Sequence, residues 1–309
     1  MPNGLGLRQK DNKQWPQQAA TMQCFVVDGD LFMSAPTTPR FPTIAFIGGG
    51  NMASAILGGL IHQGLPVGQI EVVEPWEPAR AALQQQFGVQ AQASAGPQLE
   101  RAEVVVWAIK PQTFKEAALA TGPHTSQALH LSVAAGIRSS SIAQWLGSER
   151  IVRAMPNTPA LIGQGISGLY ARPTVSEAER QLVEQVMAST GEHLWVQEEA
   201  QLDAVTALSG SGPAYVFYFL EAMVQAGVDM GLDAAQAEQL AIATFAGASE
   251  LARRSHESPA VLRERVTSKG GTTYAALESM RAAQLDQHFI TALQAAQARA
   301  RELGDDCAR

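Results

Sequence analysis

Residues Thr43–Ala53 read T-I-A-F-I-G-G-G-N-M-A, and this stretch decides the fold of the chain. Its first five residues are mostly apolar and partly β-branched, as in a buried strand, and they run directly into glycines with the spacing G-x-G-x-x-A. The order strand, glycine turn, helix is typical of the first unit of a dinucleotide-binding fold, in which N–H groups at the helix start face the pyrophosphate. The stretch therefore predicts a Rossmann-type α/β domain. A glycine turn with a purely structural role is the alternative.

Composition excludes several classes of protein. The chain has 309 residues, 46% of them apolar and 17% charged, which is ordinary for a globular enzyme of about two domains. Its net charge of −7 argues against nucleic acid and anionic membranes as partners, and no apolar run approaches the ~20 residues of a membrane span. The six histidines lack metal-ligand spacing, so no metal site is predicted. Cys24 and Cys307 form no C-x-x-C pair, which favours a cytoplasmic location.

The chain divides into three predicted regions. Residues 1–40 are rich in Gln, Asn and Pro and are expected to be a disordered or non-native extension, with Met33 as an alternative start. Residues 41–198 alternate strand and helix, which predicts a parallel sheet with right-handed crossovers. Residues 199–309 are rich in Ala, Gln and Leu at helical spacing and form an all-α domain. Helices with such apolar stripes need a partner, so this domain is predicted to form a homodimer.

The predicted elements follow from local patterns of apolar residues and of breakers. Strands are expected at 43–47, 70–74, 89–91, 103–109, 129–133, 151–154, 165–170 and 193–196. Helices are expected at 78–87, 139–146, 176–189, 213–230, 234–255 and 274–303. Ligands of an open parallel sheet bind outside the carboxyl ends of its strands, so the loops at 48–52, 74–76, 108–112 and 134–136 are the candidate cofactor loops.

Two of these candidates have an open alternative. Lys110 either faces the cofactor or is an exposed lysine at a strand end, and Pro111 is expected only to stop that strand. Asn157 lies in a loop between Pro156 and Pro159, which either positions a nicotinamide carboxamide or is a structural turn.

Glu74 ends the second strand, 24 residues after Gly50. An acidic side chain at that place accepts both hydroxyls of the adenosine ribose and repels a 2′-phosphate, so Glu74 points to NADH. Arg80, one helix turn further, is the alternative, because its guanidinium suits a 2′-phosphate if Glu74 turns away. The cofactor is therefore predicted to be NADPH or NADH.

Two runs in the helical half carry further signals. Leu208–Tyr215 starts a helix with proline in its first turn, and the small residues ahead of it allow either close packing or the close approach of a ligand. Ser268–Thr273 also opens a helix, and its glycines, hydroxyls and free N–H groups form a cradle for an anion such as a carboxylate. A glycine-rich helix cap is the alternative for the second run.

Several motifs resemble those of pyrroline-5-carboxylate reductases in order and spacing. They are Ile-Gly-Gly-Gly-Asn-Met-Ala (47–53), Ala-Ile-Lys-Pro (108–111), Val-Ala-Ala-Gly-Ile (133–137), Met-Pro-Asn-Thr-Pro-Ala (155–160), the run from Asp203 to Tyr215, and Ser-Lys-Gly-Gly-Thr-Thr (268–273). The resemblance covers Thr43 to Leu303. It implies reduction of L-1-pyrroline-5-carboxylate to L-proline with NAD(P)H, the last step of proline biosynthesis, by homodimers or by decamers of dimers.

The resemblance also implies the roles of individual residues. The substrate carboxylate is expected on Gly271, Thr272 and Thr273, with Ser211 in the same site and Glu199 near the substrate nitrogen. Thr273 and Glu199 are the candidate catalytic residues. The candidate cofactor residues are Ile47, Gly48, Gly49, Gly50, Asn51, Met52, Glu74, Ala108, Ile109, Lys110, Pro111, Val133, Ala134, Ala135 and Asn157. Many members of the family have serine, or another residue that tolerates a 2′-phosphate, in place of Glu74, so their frequent NADPH preference does not transfer directly.

The chemistry is consistent with these residues. A cyclic imine protonated at nitrogen is already a strong electrophile, so hydride transfer depends on alignment more than on an acid–base pair. The alternatives are another NAD(P)H-dependent imine or 2-hydroxyacid reductase, and a non-enzymic nicotinamide-sensing protein.

Overall fold

The structure is a computed structural model that describes residues 41–306. The predictions for residues 1–40, for Met33 and for both cysteines lie outside this range. The chain packs as two compact units. The first unit runs to Val205 and includes the chain again from Arg301; the second unit is Thr206–Ala300. Residues 199–205 thus pack with the first unit, while the functional boundary at 198/199 stays a prediction.

The first unit contains a seven-stranded sheet in the order β2-β1-β3-β4-β5-β6-β7. Every neighbouring pair is parallel except β5 and β6, which are antiparallel. The strands are β1 Ile44–Ile47, β2 Ile70–Val73, β3 Val104–Trp107, β4 Leu129–Ser132, β5 Ile151–Met155, β6 Gly165–Ala171 and β7 Gly191–Trp195. The predicted Rossmann-type domain is therefore confirmed. Strands β6 and β7 run in the opposite direction to β1–β5.

Helices cover both faces of this sheet. They are α1 Asn51–His62, α2 Glu77–Phe87, α3 Pro111–Thr121, α4 Ser139–Leu146, α5 Glu177–Ala188 and α6 Gln201–Val205. Alternate β1 residues point to opposite faces, with Ile44 and Phe46 packed among residues of α1, α2 and α5 and Ala45 and Ile47 among those of α3 and α4. Burial on both faces explains why the strands read as continuous apolar runs.

Two predictions for the first unit were wrong. No strand forms at the predicted residues 89–91, and the chain makes only a single bridge to the sheet just after them, between Gln92 and Val73. Gly88 ends α2 in a left-handed conformation, and the chain then meets the sheet only briefly. Pro111 does more than stop a strand. It occupies the first position of α3, where its missing N–H costs nothing and its fixed φ favours the helix.

The second unit is entirely helical. It contains α7 Gly212–Asp229, α8 Ala234–Arg254, α9 Pro259–Arg265, α10 Thr272–Ala282 and most of α11 Leu285–Asp306. The predicted helices at 213–230 and 234–255 are confirmed. The single helix predicted at 274–303 was wrong, because Gln284 adopts a left-handed φ of 50° and divides α10 from α11. Among the described residues, no helix is both long and apolar enough to cross a membrane.

Candidate active site

The glycine turn after β1 has the geometry of a dinucleotide cradle. Gly48 has a φ of 98°, and a Cβ there would lie 2.5 Å from the carbonyl oxygen of Ala108. A Cβ on Gly49 would lie 2.8 Å from Leu83, whereas one on Gly50 would meet nothing within 4 Å. The first two positions thus require glycine for packing and the third faces open space.

The start of α1 supplies the donors for this cradle. Its N-cap, Gly50, offers no side chain to the first-turn N–H groups, and the first turn contains no acidic residue. Free N–H groups and the positive end of the helix dipole favour an anion at this place. The residues present therefore fit the pyrophosphate of a dinucleotide.

Backbone hydrogen bonds fix the turn between its neighbouring strands. The N–H of Gly48 donates to the carbonyl of Val73 at 2.8 Å, and the N–H of Ala108 donates to the carbonyl of Ile47 at 2.9 Å. Lys110 follows at the N-cap of α3 with an exposed side chain. The N–H of Val133 in turn donates to the carbonyl of Trp107 at 3.1 Å.

The carboxyl ends of β1–β4 thus meet at one edge of the sheet, since these strands are parallel neighbours. That edge contains the predicted cofactor residues Ile47–Met52, Glu74, Ala108–Pro111 and Val133–Ala135. Asn157 follows β5, the next parallel strand, and its Oδ1 accepts a hydrogen bond from the N–H of Ile166 at 3.0 Å. The Asn157 side chain thus holds the start of β6, so it has a structural role in the fold.

Glu74 is bound directly to the glycine turn. Its Oε2 accepts a hydrogen bond from the N–H of Gly49 at 2.7 Å, and its Oε1 accepts one from the N–H of Trp76 at 2.8 Å. Arg80 Nη1 donates to the carbonyls of Glu74 at 2.9 Å and Pro75 at 2.6 Å. The carboxylate therefore lies at the turn, while one nitrogen of Arg80 is engaged with the backbone.

Glu199 lies in a half-buried polar cluster of the first unit. Its Oε1 accepts from the Ser139 N–H at 2.6 Å and from Arg153 Nη1 at 2.7 Å, and its Oε2 accepts from the Ser139 hydroxyl at 2.6 Å. Burial opposes ionisation of Glu199, but the Ser139 hydrogen bonds and the Arg153 charge outweigh it and hold the pKa below its ordinary range. The carboxylate also caps α4, whose first N–H belongs to Ser139.

The cluster extends to a second ion pair that the sequence did not predict. Arg138 contacts both carboxylate oxygens of Asp203, at 3.2 Å and 3.0 Å, and lies 3.7 Å from Asp305. Arg153, in the middle of β5, is 5% exposed, and its Nε is the one buried side-chain polar atom of residues 41–306 without a hydrogen-bond partner. An arginine inside a strand is the only local signal of this cluster.

The predicted substrate residues Ser211 and Gly271–Thr273 lie in the second unit. Gly271 is the N-cap of α10, and no side chain caps the first-turn N–H groups of that helix. Gly270 has a φ of 76°, and the N–H of Gly271 donates to the carbonyl of Ser268 at 3.0 Å. Ser211 is the N-cap of α7, directly after a π-helical turn at Thr206–Gly210. π-Helical turns are frequent at functional sites, and no sequence pattern predicted this one.

A mostly parallel sheet with a glycine turn, an open helix start and an acidic residue after β2 defines a dinucleotide-binding domain. Residues 43–136 match the family model described as NADP oxidoreductase coenzyme F420-dependent, and residues 199–303 match the one described as pyrroline-5-carboxylate reductase dimerisation. Among the described residues, no group of three or more His, Cys, Asp or Glu is placed to hold a metal ion.

Comparison with known proteins gives the family. The chain is 44% identical over 266 residues to the pyrroline-5-carboxylate reductase of Pseudomonas aeruginosa, covering 85% of this chain and 97% of that protein. It is 37% identical over 263 residues to that of Pisum sativum, covering 84% and 96%. The solved pyrroline-5-carboxylate reductase of Coxiella burnetii superposes with a TM-score of 0.81 at 38% identity, covering 85% and 99%. The chain belongs to the pyrroline-5-carboxylate reductase family.

A further solved relative has a cofactor. Pyrroline carboxylate reductase from Plasmodium falciparum, with NADP bound, superposes with a TM-score of 0.76 at 26% identity, covering 85% of this chain and 98% of that one.

Proposed function

We propose that this chain reduces L-1-pyrroline-5-carboxylate to L-proline by hydride transfer from NADPH or NADH, as the last step of proline biosynthesis. The observation that carries the proposal is the 44% identity to the Pseudomonas aeruginosa reductase over 97% of its length. The glycine turn, the open start of α1 and the open start of α10 support it, because one anion cradle suits a dinucleotide and the other a small carboxylate.

The cofactor is held by the carboxyl ends of β1–β5 in this proposal, with Gly48–Met52 at the pyrophosphate and Lys110, Ala134 and Asn157 further along the same edge. When bound, it supplies the hydride. The protein supplies alignment and charge, which is what a protonated cyclic imine requires.

On the substrate side, the N–H groups of Thr272 and Thr273 bind the carboxylate, with the Thr273 hydroxyl as a further donor and Ser211 in the same site. The uncapped first turn of α10 supports this assignment. Glu199 enters the proposal as the negative charge that stabilises the iminium. Its lowered pKa supports an ionised carboxylate, although both of its oxygens already have partners.

NADH is the preferred cofactor in this proposal. The Glu74 carboxylate is fixed at the glycine turn by Gly49 and Trp76, where it accepts ribose hydroxyls and repels a 2′-phosphate. The engagement of Arg80 with two backbone carbonyls supports the same preference, because that guanidinium then has fewer donors for a phosphate.

The protein self-associates through its helical unit, as the match to the dimerisation family model indicates. We propose a homodimer, or a decamer made of such dimers, that acts in the cytoplasm without nucleic acid or membrane partners. The exposed apolar side chains of the second unit support burial in a partner; they include Phe217, Tyr218, Met223, Leu240, Ile242, Leu251 and Ile290.

Cofactor oxidation followed by absorbance tests the proposal. We expect oxidation of NADH, with formation of proline, when pyrroline-5-carboxylate is added. Oxidation only with other imines or 2-oxoacids would indicate a different reductase, and binding of NADH without oxidation by any of these substrates would indicate a sensor. Light scattering of the same preparation measures the assembly.

A further inference from the structure

Trp76 presents an exposed indole beside the predicted ribose site. It follows Glu74 by two residues, and 67% of its surface is accessible. Every other aromatic side chain among the described residues of the first unit is buried or partly buried. A single exposed apolar residue needs no explanation by itself, but the turn that carries Trp76 is held in place by specific contacts.

The turn that carries Trp76 is held by polar contacts rather than by the indole. The Glu74 carboxylate bridges the N–H of Gly49 and the N–H of Trp76, which ties the 74–76 turn to the glycine turn. Arg80 Nη1 binds the carbonyls of Glu74 and Pro75, and the ring of Pro75 limits the backbone further. The backbone of Trp76 is thus fixed while its ring remains free to receive a ligand.

We propose that the Trp76 indole is the stacking surface for the adenine of the dinucleotide. The inference rests on the proposed function, in which Glu74 accepts the hydroxyls of the adenosine ribose. The adenine is joined directly to that ribose, so it lies within reach of the residues next to Glu74. A flat purine is stabilised by an aromatic face, and stacking on tryptophan needs few ordered torsions.

The proposal predicts an effect on the adenosine half of the cofactor alone. Trp76→Ala is expected to weaken the binding of ADP-ribose and of NADH by the same factor, about 5- to 150-fold. Reduced nicotinamide mononucleotide, which lacks the adenosine, is expected to bind both proteins equally. Trp76→Phe retains a ring and is expected to keep most of the affinity.

Isothermal titration calorimetry of the full-length protein measures these dissociation constants. Leu119→Ala is the matched control, because Leu119 is an exposed apolar residue of the first unit, 59% accessible, that lies in the last turn of α3, away from the start of that helix. We expect wild-type affinities from it. Circular dichroism and the thermal midpoint of each variant verify that the fold is retained.

The outcomes separate the inference from the proposed function. Equal ADP-ribose binding by wild type and Trp76→Ala would overturn the inference alone. An equal loss of affinity for ADP-ribose and for the mononucleotide would also overturn it. So would a change of oligomer mass in Trp76→Ala with unaltered affinity. A selective loss of ADP-ribose binding would support it. If that loss occurred in a protein that does not reduce pyrroline-5-carboxylate, the inference would stand and the proposed function would fall.

Discussion

Glu199 and Arg153 form an ion pair, 2.7 Å from Oε1 to Nη1, that joins the segment before α6 to the middle of β5. The side chain of Arg153 is 6% exposed and that of Glu199 20%, so each charge depends on the other for compensation. Burial lowers the pKa of Arg153, and the charge and hydrogen bond of Glu199 oppose that shift. Removing one partner leaves the other buried and uncompensated.

Glu199→Gln is therefore expected to lower the free energy of unfolding by about 3–5 kcal/mol. Urea denaturation monitored by circular dichroism measures this loss. Glu100→Gln is the control, because Glu100 is an exposed carboxylate paired with His124 at 3.4 Å and is expected to change stability by less than about 1 kcal/mol.

The same variant tests the proposed catalytic role of Glu199. If Glu199 stabilises the iminium, kcat of the folded Glu199→Gln protein falls while the dissociation constant of NADH stays unchanged. A destabilised variant with wild-type kcat and KM would restrict Glu199 to a structural role.

His130 predicts a pH dependence of stability. This residue of β4 is 1% exposed, and its Nδ1 accepts the indole N–H of Trp107 at 3.2 Å. Burial, helped by the charge of Arg150 and opposed by a backbone contact with Thr125, lowers its pKa from 6.5 to about 4. Between these values the unfolded chain binds a proton that the folded chain does not, so stability falls as the pH drops from 6.5 to 4, by up to ~3 kcal/mol.

His130→Gln isolates this contribution, because its amide oxygen can accept the Trp107 N–H without titrating. Urea midpoints measured at intervals between pH 4 and pH 7 are expected to show a shallower slope for the variant than for wild type. Identical slopes would show that His130 does not carry the dependence.

Glu74→Ser is expected to shift cofactor preference toward NADPH. Removing the carboxylate removes its repulsion of the 2′-phosphate, so the ratio of kcat/KM for NADPH to that for NADH should rise by about tenfold or more. Glu77→Ser, which removes an exposed carboxylate of the first turn of α2, is the control and should leave the ratio unchanged. A wild-type protein that strongly prefers NADPH would contradict the role given to Glu74.

Thr273→Ala is expected to raise KM for pyrroline-5-carboxylate by about tenfold, the scale of a lost hydrogen bond to a charged group. The dissociation constant of NADH should not change, and Thr273→Ser should restore KM because it retains the hydroxyl. The control Thr291→Ala removes a hydroxyl that donates to the carbonyl of Gln287 on α11. Unchanged KM and kcat in Thr273→Ala would exclude the Thr273 hydroxyl as a donor to the substrate.

Local sequence patterns determined the main course of the chain. The apolar run before Gly48 and the glycine spacing fix β1, the turn and α1, because burial on both faces requires apolar strands and close packing requires glycine. Ligands of such sheets bind at the carboxyl ends of the parallel strands, and this rule predicted that Glu74 and Lys110 lie at one edge of the sheet. Each of these features depends on residues that lie close together in the sequence.

Only the tertiary structure decided the features that depend on distant contacts. The bridge at Gln92, the break at Gln284 and the cluster of Arg153 with Glu199 have no local signal strong enough to predict them. Whether a short run pairs as a strand, or a buried charge finds its counterion, is settled by which side chains the packed sheet and helices bring together. Residues 46 positions apart in the chain, as Arg153 and Glu199 are, meet only through that packing.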